Sequence, residues 1–171
     1  MTHPLVLQLR FTRNEFQRAL AGIGDDDARK RLMPMNSMSW MIGHLAWQEQ
    51  RYWLTLLQGK TPLPALNTHF GWGKPATTPP LAEAWTYWHA IVNEAEPFLD
   101  TLTTDDLMRD STFFYTDGSA WVTSAGNLMQ RVVYHYWYHT GEASSIRQML
   151  GHANVPEFVG NIDEEAPFRM S

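Results

Sequence analysis

One uninterrupted helical stripe dominates the C-terminal half of the chain. Leu128, Val132, His135, His139, Glu142, Ile146 and Leu150 follow one another at intervals of three and four residues, the spacing of a single helix face. The helix opens near Ser124, and Gly151 ends it. At about 1.5 Å per residue it spans about 40 Å, the height of a helical bundle. A stripe of that length needs other helices to cover it.

Three further segments supply them. Leu5, Leu9, Phe16, Leu20 and Ile23 recur at helical intervals before Gly22 and Gly24, and the acidic run Asp25-Asp26-Asp27 opens a short helical piece to Leu32. The second long helix starts at Asn36 or Ser37, either of which can cap free N–H groups, and runs through Leu57 to Gly59. Residues 60–80 hold five prolines and Gly71-Trp72-Gly73, and read as a long crossing loop. The third runs from Pro80 through Leu81, Trp85, Trp88, Val92, Ala95 and Leu99 to Leu102, with a kink expected at Pro97. Thr112–Thr116 and Ala120–Val122 flank Asp117-Gly118, a small hairpin or ordered turn before the last helix. Residues 151–171 read as an extended C-terminal tail. The expected architecture is an all-α four-helix bundle with crossover connections, a single domain over residues 1–171.

Composition narrows the chemistry. Lys plus Arg is 13 against 18 Asp plus Glu, a formal net charge of -5, which argues against a nucleic-acid partner held through phosphates. Cysteine is absent, so disulfides, thiolate metal sites, iron–sulfur clusters and cysteine nucleophiles are excluded. Any metal must be held by histidine and carboxylate. Without a secretory leader or an apolar run of about 20 residues, the chain reads as a soluble cytoplasmic protein with no membrane partner.

Of the seven histidines, His3, His69 and His152 fall at a terminus, in the long loop and after a helix stop, and read as solvated. His135 and His139 differ. One turn apart, both imidazoles can reach one ion, and their apolar stripe turns them into the bundle, where they need partners. His44 sits in an equally apolar part of the second helix, between Trp40 and Gln48 on its face. It is preferred as the third ligand over His89, which falls at the edge of the third helix's stripe. Three neutral imidazoles suit a divalent Zn, Ni, Fe or Mn ion with positions left for water or substrate. Glu142 can serve as a fourth ligand, as an acceptor orienting an imidazole, or as a surface carboxylate. No Glu-x-x-His pair, His-Glu-x-x-His motif, P-loop or dinucleotide-binding glycine pattern is present. Trp40, Trp47, Trp53, Trp85, Trp88 and Trp137 read as packing residues, and Trp72 and Trp121 as candidates for lining a pocket.

The stretches Trp40-Met41-Ile42-Gly43-His44-Leu45-Ala46, Val133-Tyr134-His135-Tyr136-Trp137-Tyr138-His139-Thr140-Gly141-Glu142 and Ile146-Arg147-Gln148-Met149-Leu150-Gly151 resemble the DinB-like metal-binding bundles. The resemblance runs from the first helix to Gly151. It implies a divalent metal on His44, His135 and His139, a bundle with crossover topology, and a homodimer. That superfamily includes mycothiol-dependent maleylpyruvate isomerase and bacillithiol transferases, in which the metal activates the thiol of a small cofactor. Here Glu142 stands where Gln is common, and Arg131 where a further His is frequent.

The leading functional expectation is a metal-dependent enzyme that transfers a low-molecular-weight thiol to small electrophilic molecules, hydrolysis with bound water being the other reaction class. Gln48, Arg131, Tyr138 and Glu142 are the candidates around the ligands, and Arg147 serves as an anion contact or a surface salt bridge. The alternatives are a non-catalytic, stress-related bundle that binds metal or a small ligand, and a purely structural dimer.

Overall fold

A computed structural model of the chain describes residues 2–114, 117–157 and 159–168. The first long helix, α1 (Pro4–Ala19), starts with Pro in its first turn, and His3 caps it by accepting from the Leu5 N–H through Nδ1 at 3.1 Å. His3 is therefore a capping residue, not a solvated one. A short α2 (Asp25–Arg29) precedes α3 (Met38–Glu49), which is capped by the Ser37 hydroxyl accepting from Trp40 N. The helix does not end at Glu49 but widens into a π-helical stretch, Gln50–Leu56.

Segment 60–80, expected to cross the bundle, joins two helices that pack against each other and is more ordered than its prolines suggest. It contains α4 (Ala65–His69), whose entry is tied to the preceding helix by Gln50, which donates to Leu63 O and accepts from Leu63 N. Leu66 and Phe70 anchor it by burial. Next, α5 (Leu81–Leu99) carries Pro97 in its last turn and stops two residues later, short of the expected Leu102. A capping box on Thr103 and Asp106 starts α6 (Thr104–Met108), a helix too short to show periodicity.

The expected hairpin is present, displaced by two residues on its first strand. Strand β1 (Asp110–Phe114) pairs antiparallel with β2 (Ala120–Ser124), and Gly118 has φ +83° at the turn. Thr116, the expected end of the first strand, lies outside the described residues. Ser124 ends β2 and caps α7 (Ala125–Met149) by accepting from Asn127 N. Residues of the C-terminal segment return to α1, with α8 (Ile162–Glu165) beside it: Gln8 donates to Ala166 O, and Glu15 accepts from Gly160 N.

Among the described residues, α1, α3, α5 and α7 are the four helices longer than ten residues. α7 packs on both α1 and α3, and α3 on α5. The closest packing is therefore not between the consecutive pairs α1 and α3, or α5 and α7, and these two connections cross over the bundle. The protein is an all-α bundle with one small hairpin.

Its centre is polar at one point. Glu49 is fully buried and accepts from Arg13 Nε and Nη2 (2.7 and 2.6 Å), from Trp53 Nε1 (2.5 Å) and from the Tyr136 hydroxyl (2.9 Å). Trp88 Nε1 donates in turn to the Tyr136 oxygen, and Arg13 also bonds Glu96. All four long helices meet in this network. Burial pushes the Tyr136 phenol well above its ordinary range, with the adjacent Glu49 carboxylate acting in the same direction.

Two further expectations are corrected. Arg147 is buried and makes no surface salt bridge; it donates to Ala19 O and His152 Nδ1, fastening the end of α7 to that of α1. His152 is half-buried beside it, and its Nε2 bonds Asp27 at 3.1 Å. No helix among the described residues is long and apolar enough to cross a membrane.

Candidate metal centre

α3 contributes His44, and α7 contributes His135 and His139. Each ring is held at Nδ1 by a different oxygen: Phe70 C=O at 2.6 Å from His44, Gln48 Oε1 at 2.7 Å from His135, and Glu142 Oε2 at 2.9 Å from His139. An imidazole Nδ1 facing an acceptor carries the proton, which leaves the Nε2 lone pair free. The free nitrogens converge. His135 and His139 place their Nε2 atoms 3.0 Å apart, and one nitrogen from each of the three rings lies within 4.8 Å of the others.

With Nδ1 of each ring turned to an oxygen, the 3.0 Å contact sets the Nε2 atoms of His135 and His139 side by side, where one cation could be shared between them. The separation fits two nitrogens each about 2.1 Å from one ion. The three histidines could therefore hold a divalent metal, and the donor set suits it.

Burial keeps the ligands ready. His44 and His139 are 6% and 4% exposed. Desolvation pulls the His44 pKa down to about 4 and the His135 pKa to about 3, where the neighbouring histidines add to the effect, so both are neutral at pH 7. Trp40, one turn before His44, and Trp47, one turn after it, stack nearly parallel to its ring at 4.5 and 5.2 Å between centroids. Gly43 is needed beside it: a Cβ there would lie 2.4 Å from the Phe70 ring. Only glycine allows Phe70 close enough to offer its carbonyl to His44.

The site opens on one side into a cavity of about 750 Å³ whose lining includes His44, Gln48 and His135. Trp47, Arg51 and Tyr52 continue the same face of the helix into the π-helical stretch, and Trp121 and Arg131 close the cavity from the hairpin and α7. Irregular helical turns of this kind are frequent beside functional sites.

Each expected residue has a definite place. Gln48 Oε1 and Glu142 Oε2 sit against Nδ1 of His135 and His139, on the side of each ring away from the cluster. Arg131 lines the cavity and lies over the Trp121 ring, 5.8 Å from its centroid. Tyr138 is 67% exposed; its ring meets His139 edge-on at 5.1 Å, and it is not part of the cavity wall. His89 is exposed and packs against Trp85 and Trp88, away from the cluster. Trp72 and Trp121 line the cavity as expected; so does Trp47, which had read as packing alone. The carbonyl of Phe70 escaped sequence reasoning because every residue has one. Arg51 was missed, although its place two turns beyond His44 on the same face was a signal that could have found it.

A family model, that of the DinB superfamily, matches residues 8–143. No curated protein matches the chain.

Proposed function

The chain belongs to the DinB superfamily, and on that premise we propose that it is a metal-dependent transferase joining a small soluble thiol to an electrophilic small molecule. The observation that carries the reading is the convergence of three Nε2 lone pairs at the edge of a cavity large enough for two small molecules. His44, His135 and His139 would hold the ion, drawn from Zn, Ni, Fe and Mn, and when bound it would lower the pKa of a thiol or water and so supply a nucleophile near neutral pH.

The chain's own residues do the rest. Gln48, Glu142 and the Phe70 carbonyl fix the tautomers and orientations of the three rings, and stacked Trp40 and Trp47 prevent His44 from rotating. With no cysteine in the chain, the thiol must come from solution. The cavity supplies its route, since His44 and His135 face it directly.

Cobalt substitution tests this reading. Adding 2-mercaptoethanol or another small thiol to the cobalt protein should produce a sulfur-to-metal charge-transfer band in the near ultraviolet. A cobalt-loaded protein whose spectrum is unmoved by thiols contradicts the proposed transfer.

A further inference from the structure

The charge of the cavity runs against that of the chain. Acidic residues outnumber basic ones overall, at 18 to 13, yet the residues lining the cavity include Arg51, Lys74 and Arg131 and no Asp or Glu. The ion pairs found among the described residues engage other cations. Arg51 lies over the Trp47 ring at 5.7 Å, and Arg131 over Trp121 at 5.8 Å. Stacking on an indole holds a guanidinium in place while leaving its N–H edge available for a planar, two-oxygen partner.

Three like charges sharing one cavity repel each other, and its apolar, low-dielectric aromatic walls concentrate their field. A negatively charged occupant relieves that repulsion. A volume of about 750 Å³ far exceeds a bare oxyanion and falls in the range of organic ligands. Trp47, Trp72, Trp121 and Tyr52 offer flat apolar surface for the body of such a molecule.

We infer that the cavity selects organic anions, a flat or apolar body carrying at least one carboxylate, as the substrate or thiol partner of the histidine site. The identity of the occupant as a reactant rests on the transferase reading; the preference for anions rests on the cavity alone. Arg51 and Arg131 bind the carboxylate, and Lys74 adds charge at the rim. The three are specificity residues for whatever the site transforms.

Calorimetric titration with phthalate decides the matter, using zinc-loaded protein and His135→Ala in parallel. Dimethyl phthalate serves as the neutral isostere and inorganic phosphate as the bare oxyanion. Phthalate should bind both proteins, at least tenfold more tightly than either control. Arg51→Gln and Arg131→Gln should each weaken it about three- to tenfold with metal content unchanged. Added salt should weaken it further. Equal affinity for the diester, unchanged affinity in both arginine variants, inorganic phosphate binding as tightly as phthalate, or no phthalate binding up to about 10 mM would each overturn the inference. A parent protein that takes up no metal yet binds phthalate would refute the metal reading alone; a parent protein fully loaded with metal and indifferent to phthalate would refute this inference alone.

Discussion

Replacing Glu142 probes how the oxygen partners behind the histidines shape the cluster. Its Oε2 sits 2.9 Å from His139 Nδ1, its side chain is 17% exposed, and it is the charged member of three acceptors whose others are an amide and a backbone carbonyl. Glu142→Gln keeps an oxygen in place and removes the charge. Glu142→Ala removes both, freeing His139 to rotate or to move its proton to Nε2, where the lone pair is needed. Loss of such an outer partner weakens metal affinity about 10- to 100-fold, which is about 1.4 to 2.7 kcal/mol. The alanine variant belongs at the upper end, since it loses charge and orientation together, and the glutamine variant near the lower end. Competition for zinc against a fluorescent chelator measures both, with circular dichroism confirming the fold. At fixed free zinc, each tenfold loss also removes about 1.4 kcal/mol of metal-induced stabilisation. An alanine variant that binds zinc within a factor of two of the parent would refute the reasoning.

Two further perturbations follow from the same geometry. Gly43→Ala places a Cβ 2.4 Å from the Phe70 ring, so Phe70 must retreat and take its carbonyl from His44; a stability loss of about 1 to 3 kcal/mol in urea, together with weaker zinc binding, is expected, and an unchanged zinc affinity would show that the Phe70 carbonyl does not set the ring. Glu49→Ala strands the buried Arg13 and leaves Trp53 and Tyr136 without their acceptor, for a loss of about 3 to 5 kcal/mol by urea denaturation; a loss under about 1 kcal/mol would mean that water or Glu96 replaces Glu49 fully.

Long-range apolar order was legible in the residues, and local chemistry less so. The stripe from Leu128 to Leu150 fixed α7, and with it the depth of His139 and the spacing of the histidine pair. His44 followed from an apolar face, and the His89 edge position was read correctly for the same reason. Short helices were missed: α4 forms because Leu66 and Phe70 are buried by tertiary packing, and α6 because of a capping box, and neither shows a period. The π-helical stretch depends on local backbone hydrogen bonding that residue types do not encode. Arg147 and His152 look like surface polar residues in the sequence, yet chain return at the ends of α1 and α7 buries the first and half-buries the second. The cations of the cavity come from the π-helical stretch, segment 60–80 and α7, so no single stretch displays them.

The metal content of protein purified without an affinity tag, measured beside His135→Ala and His139→Ala, decides whether the three histidines form a metal site. About one divalent ion per chain is expected in the parent and almost none in either variant, with the fold of both retained. Substoichiometric metal in the parent, unchanged when His135 is removed, would contradict it.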